Sequence, residues 1–197
     1  MRAFQAQPTP LGVEIFYISE DDGNDRNEVI GYEDAVNRLD SGEYDSCPDE
    51  GMKIHAAVTD GMRAGHFAYS LRHCVILWRW LTAELFFREM SGENGEIVTP
   101  YRNGSVMHVA IYEGSAMSIT ISRQSVRTDL AVNIEWPMAE RYGSEEGGRN
   151  AMVRYCMMVD RVRGRLTPLG RDIMAGIHEA RIDEITGRVL PTTHVMH

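Results

Sequence analysis

Residues 67–90, FAYSLRHCVILWRWLTAELFFREM, carry the longest amphipathic pattern in the chain. At about 100° per residue, Phe67, Leu71, Cys74, Val75, Trp78, Leu81, Leu85 and Phe86 fall on one wide apolar arc. Tyr69, Ile76, Trp80, Ala83 and Phe87 form a second arc. Arg72 and Arg79 separate the two on one side; Ser70, His73, Glu84 and Arg88 separate them on the other. Glu84 and Arg88 also stand at the i,i+4 spacing and in the order that supports a helix. A helix apolar on two sides is either sandwiched inside its domain or shares its second arc with a partner, such as a second copy in a homodimer. Sandwiching is the expectation here.

On the C-terminal side of this helix the apolar period drops to two. Met117, Ile119 and Ile121 alternate with Ser118, Thr120 and Ser122; Leu130, Val132, Ile134 and Trp136 alternate with Ala131, Asn133 and Glu135. Residues 106–112 give a further strand, joined to the next through Glu113-Gly114-Ser115, and 97–101 a weaker one in which Pro100 indicates an edge. Pro137 is expected to end the sheet, and residues 143–148 (GSEEGG) to form a flexible connection. Residues 150–166 then read as a helix, with Met152, Tyr155, Cys156, Val159, Val162 and Leu166 inward and Arg154, Arg161 and Arg165 on the opposite face. Thr167 followed by Pro168 is an N-cap with proline at the first helical position, opening a helix to about Ile182. Residues 185–190 are expected to form a short strand before a mobile tail.

On the N-terminal side, residues 1–10 read as an extended arm and Val13 to Ile18 (VEIFYI) as a strand that stops in an acidic loop. Tyr32 to Leu39 offers a short helix with Ala35, Val36 and Leu39 inward and Gly42 as its stop. Residues 45–60, with Pro48 and Gly51, read as irregular. The expectation is therefore an α+β fold: an antiparallel four- to five-stranded sheet packed against a long central helix and two C-terminal helices. It forms a single domain over 1–197, with an acidic subregion at 12–50, the long helix at 67–90, the sheet at 96–136 and the C-terminal helices at 149–182.

Composition narrows the classes of function. The 197-residue chain carries a net charge of −9, and the charge is uneven. Residues 14–50 hold thirteen acids against Arg26 and Arg38, a net of −11, so the remainder carries +2. A phosphate-gripping protein shows a basic excess; this block looks towards a cationic partner or towards solubility. Nineteen of the twenty bases are arginine and Lys53 is the one lysine, a skew that codon usage explains without a function. No apolar run reaches the roughly 18 residues of a membrane span, and the opening MRAFQAQPTP lacks a secretory apolar stretch. Cys47, Cys74 and Cys156 are scattered, which indicates a reducing compartment, and a cytoplasmic location is expected.

The motifs that announce chemistry do not occur. Lys53 has no glycine-rich phosphate loop around it, and GxGxxG, GxSxG and HExxH do not occur. Gly147-Gly148 precedes a helix, but Glu145 and Glu146 would repel a phosphate there. His66 and His73 stand seven apart without the companions of a closed zinc site, and residues 20–25 (EDDGND) lack the alternating ligands and closing glutamate of a calcium loop. No metal or cofactor is expected. The arginine stripe of Arg154, Arg161 and Arg165 has no aromatic residues interleaved for base stacking, so direct binding of nucleic acid is not expected either.

What remains is the acidic block. Its complement is a basic protein surface, and inside cells such surfaces mostly bind nucleic acid. The chain is therefore read as a non-enzymatic, acidic protein-binding factor. Its contact residues would be Glu20, Asp21, Asp22, Asp25, Glu28, Glu33 and Asp34. By occupying such a surface it would act as a nucleic-acid mimic, in the manner of a phage or mobile-element inhibitor of a host nuclease or defence complex, anti-CRISPR inhibitors among them. Two alternatives stand beside it. One is an enzyme with an unrecognised site on the polar sheet face around His108, Ser118, Thr120 and Asn133; the other is a structural component that self-associates through the second arc of the long helix.

Overall fold

The computed structural model describes residues 2–19, 26–90, 97–100, 105–112 and 115–186. Strands β1 (Arg2–Thr9), β2 (Gly12–Ser19) and β3 (Arg26–Ile30) form an antiparallel meander in the order β1-β2-β3. The stretch expected to be an extended arm is thus a full sheet strand, paired from Arg2↔Ser19 to Thr9↔Gly12. Val13 and Ile15 of β2 alternate into the core beside Phe4 and Ile30, and Glu14 between them stays outside. Helix α1 (Tyr32–Ser41) follows as expected, burying Tyr32, Ala35, Val36 and Leu39, and ends at Gly42 in the left-handed conformation, φ 86°.

The region expected to be irregular is instead helix α2 (Pro48–Arg63). Pro48 occupies the first turn, where its missing N–H costs nothing, and Asp49 and Glu50 complement the helix dipole there. Gly61, inside α2, lets Tyr32 lie against the helix: a Cβ at this position would stand 2.3 Å from the Tyr32 ring. The glycines of this segment serve close packing rather than chain breaking.

Helix α3 (Leu71–Met90) begins slightly later than the sequence pattern suggests. Ser70 and His73 bond reciprocally at its start: the Ser70 N–H donates to His73 Nδ1 at 3.0 Å, and the His73 N–H to Ser70 Oγ at 3.4 Å. Both arcs of α3 enter packed cores, with Cys74 and Trp78 of the first left half-buried. Ile76, Leu77 and Trp80 enter a core with β1–β3, α1 and α2. Val75, Leu81, Leu85, Phe86 and Phe87 enter a second core with the C-terminal half. The second arc is therefore not an exposed face for self-association: Ile76, Trp80, Ala83 and Phe87 are all buried. Tyr69 is exposed, but it precedes the helix.

Strands β4 (Ile97–Pro100), β5 (Ser105–Tyr112) and β6 (Ser115–Ser122) form a second antiparallel sheet in the order β4-β5-β6. The chain is mixed helix and strand, but among the described residues the strands do not make one four- to five-stranded sheet; they divide into sheets of three, three and two. The sheet expected over 96–136 stops at Ser122, whose side chain and that of Ser125 form a capping box opening α4 (Arg123–Leu130). A π-helical turn (Ala131–Glu135) and α5 (Trp136–Tyr142) complete this helical run. The alternation around 130–136 misled because Val126, Leu130 and Ile134 are also four apart, and these three are the buried ones. Val132 and Trp136, which a strand would have buried with them, are exposed.

Helix α6 (Ser144–Met158) starts within the stretch expected to be flexible and ends before Val159. Strands β7 (Val159–Asp160) and β8 (Arg165–Leu166) then form a small hairpin, so the helix expected over 150–166 is overturned from Val159 onward. Val159 and Leu166 remain core residues as strand positions, whereas Val162 and Cys156 face solvent. Thr167 caps α7 (Pro168–Thr186), its Oγ1 accepting from the Gly170 N–H at 3.1 Å. The C-terminal helices thus span 144–158 and 168–186. The strand expected over 185–190 overlaps the end of α7, and its remaining residues lie outside the described ones. No helix among the described residues is long and apolar enough to cross a membrane.

Candidate functional site

The acidic block divides into two groups. Asp45 faces inward and forms a two-pronged pair with Arg127, at 2.7 and 2.9 Å. Asp40 holds Arg79 Nη2 at 2.7 Å; the other arm of that guanidinium contacts Glu135, which also accepts the Tyr155 hydroxyl at 2.7 Å. Burial, with Glu135 beside it, raises the Tyr155 phenol well above its ordinary range, so it remains a neutral donor. Asp49, itself exposed, pairs with Arg88, and Arg88 and Arg123 both grip the buried Glu84. These carboxylates tie the N-terminal elements to α3, α4 and the π-helical turn.

The other group faces solvent. Glu28 on β3, Asp34 on α1 and Glu43 just beyond α1 surround a single cation, Arg38, at 3.5, 2.9 and 3.3 Å. Glu33, also in the first turn of α1, is exposed next to them. Three carboxylates share one guanidinium with a fourth alongside, so this face keeps a net negative charge. On the sheet, Glu14 accepts from Asn27 at 2.7 Å and from Gln7 at 2.8 Å, and these bonds hold its carboxyl below its ordinary value. Of the seven contact residues expected from sequence, Glu28, Glu33 and Asp34 are therefore exposed, with Glu28 and Asp34 brought together on Arg38. Glu20, Asp21, Asp22 and Asp25 lie outside the described residues.

Of the four residues grouped on the polar sheet face, Asn133 is not on a strand. Asn133 lies in the π-helical turn, where its side chain donates to the Asp129 carbonyl at 2.8 Å. His108 stands in register with Ile119, whereas Ser118 and Thr120 stand opposite Val109 and Met107, the alternate positions of the pleat. Among the described residues, no three histidines, cysteines or carboxylates gather as a metal set. Burial raises the thiol of the half-buried Cys74, which disfavours a reactive thiolate there.

A feature that sequence reading missed is a groove between α2, α3 and the β7–β8 hairpin. Two adjoining cavities of about 220 and 240 Å³ share His55, Thr59, Arg63, Leu81 and Arg161. Leu77 and Trp78 line the first, Leu85 and Val159 the second. His55 stacks on Trp80 with centroids 5.5 Å apart, and its Nε2 lies 3.2 Å from the Leu77 carbonyl. Burial lowers its pKa to about 4, so at neutral pH the ring is uncharged and donates through Nε2–H. Arg161, on the hairpin turn, lies over the Trp78 ring at 5.2 Å. These residues are brought together from positions some hundred apart in sequence, and no local spacing announces them.

Comparison with protein-family models, with curated proteins and with solved structures gives no match for this chain.

Proposed function

We propose that this chain is a non-enzymatic protein-binding factor. Its acidic face docks on a basic, nucleic-acid-binding surface of another protein and inhibits that protein by occupying the place of the nucleic acid. The observation that carries this reading is the clustering of Glu28, Asp34 and Glu43 around Arg38, with Glu33 exposed beside them. A protein that kept acids solely for internal pairing would supply roughly one cation to each. Here the inward acids Asp40 and Asp45 each have an arginine, while the outward acids around Arg38 outnumber theirs. Clustered surface carboxylates attract a cationic surface over a distance of about a Debye length and speed its docking. A nuclease or defence complex, of the kind that phage and mobile-element inhibitors block, is the partner class that fits.

The test compares the parent chain with a variant carrying Glu28→Gln, Glu33→Gln, Asp34→Asn and Glu43→Gln. Each is immobilised and exposed to extract from the native host. The expected result is a nucleic-acid-binding protein held by the parent, released by duplex DNA or by salt, and lost from the variant while both chains melt alike. Retention by both chains with no salt dependence would overturn the reading.

A further inference from the structure

We propose that the groove between α2, α3 and the β7–β8 hairpin binds a small amphipathic monoanion: an apolar body of about naphthalene size bearing one carboxylate, with the carboxylate held by Arg161.

The floor determines the body of the ligand. Met62, Leu77, Trp78 and Leu81 line the first cavity, and the adjoining cavity continues over Leu81 to Leu85 and Val159. An apolar cavity of about 150 Å³ already accepts a benzene ring, so the 220 Å³ here suits a somewhat larger body. The polar groups on the floor are already occupied. His55 is neutral and bonded to the Leu77 carbonyl, and the Thr59 hydroxyl donates to the His55 carbonyl at 2.7 Å. A ligand therefore meets no demand for hydrogen bonds below the rim.

The rim determines the charge. Arg63 and Arg161 both line the groove, but they are not equivalent. Arg63 is neutralised by Asp60 at 3.1 Å, and Asp60 itself lines the second cavity, making that end unfavourable for an anion. Arg161 has no carboxylate partner among the described residues and rests on Trp78. The net charge of the groove is thus one positive unit, concentrated on Arg161 at the first cavity. A monoanion balances it; a dianionic phosphate would overshoot.

The hairpin presents that charge in a defined place. Asp160 caps the turn, accepting the Arg163 backbone N–H at 3.1 Å and its guanidinium at 3.1 Å. Arg161, lying between these anchors, is oriented towards the groove rather than recruited by the turn. A guanidinium lying over an aromatic face, as Arg161 lies over Trp78, keeps its edge donors free for a carboxylate.

The probe is 1-naphthoate, with 1-naphthalenemethanol as its uncharged counterpart. Binding is read from tryptophan emission in a Trp136→Phe background, which removes the exposed indole so that Trp78 and Trp80 report. The expected result is saturable quenching by the acid. Affinity should be about tenfold weaker for the alcohol, and about tenfold weaker for the acid on an Arg161→Gln chain, the loss of one charge-assisted contact. Equal affinity for acid and alcohol, no loss on Arg161→Gln, or quenching that never saturates would each overturn the proposal. Should Arg161→Gln melt below the parent, the ratio of acid to alcohol on the parent chain decides by itself.

Discussion

Asp34 and Asp45 stand eleven positions apart in one acidic block, and each is paired with an arginine, yet the two pairs belong to different physical regimes. The side chains of Asp34 and Arg38 are 52% and 28% exposed; those of Asp45 and Arg127 are 18% and 3% exposed. The first pair sits in water and is shared with Glu28 and Glu43. The second is a two-pronged contact closed off by packing, at the cost of an unsatisfied Arg127 Nε. A count of charges along the chain therefore overstates the charge available to a partner. What a partner meets is the group that the fold leaves outside.

The largest expected effect that would break this contrast comes from the inner pair. Arg127→Ala leaves Asp45 partly buried without its cation and should cost about 3–5 kcal/mol, read as a lowered denaturant midpoint. Replacing both members with leucine should recover much of that loss, since the penalty lies in the stranded charge rather than in the pair. Equal stability of Arg127→Ala and the parent would show that Asp45 is solvated like Asp34.

The next effect is one of pH, and it must be separated before acid titration of the carboxylates can be interpreted. His55 has its pKa lowered by burial from 6.5 to about 4, so between these values the unfolded chain binds a proton that the folded chain refuses. Its contribution to stability is complete above pH 6.5 and falls as pH drops to about 4, by up to about 1.4 kcal/mol per pH unit. A His55→Gln chain should lose that slope across the window, as measured by unfolding at several pH values. An unchanged slope would place the acid sensitivity in the carboxylates instead.

The smallest effect concerns the outer group. Asp34→Asn should shift stability by less than about 0.5 kcal/mol, because exposed pairs contribute little and Arg38 retains Glu28 and Glu43. Thermal melts at low salt and at 1 M salt check this, and a loss approaching that of Arg127→Ala would erase the distinction between the groups.

Much of the local structure was legible in the chain. The VEIFYI run became β2, the Tyr32 to Leu39 spacing became α1 with its glycine stop, and Thr167-Pro168 opened α7. The long helix was expected to be sandwiched, and residues of both arcs are buried in the two cores. Of the segments that differ from expectation, two differ for related reasons. In α2, Pro48 and Gly51 read locally as breakers, but proline suits a first turn and glycine admits a neighbour's ring. In 130–136, Leu130 and Ile134 satisfy both a period of two and a spacing of four, and only packing against α3 selects the helix. Of the candidate contact residues, Glu28 on β3 and Glu33 and Asp34 on α1 are exposed. The groove was not legible, because His55, Trp78 and Arg161 come from three separate elements.

The sequence by itself determined where the chain could bury a face and where it carried charge: two apolar arcs on one helix, alternating strands beside it, and thirteen acids in a block of 37 residues. These are properties of neighbours three or four positions apart, or two in a strand, which backbone geometry alone brings to one side. Which acids meet an arginine from another element was decided by the tertiary structure. Asp45 finds Arg127 and Asp40 finds Arg79 across more than thirty intervening residues, and Arg161 reaches Trp78 across more than eighty. Such meetings depend on how α3 orients the two halves around itself, and that orientation is set by the summed packing of both cores, which no local spacing encodes.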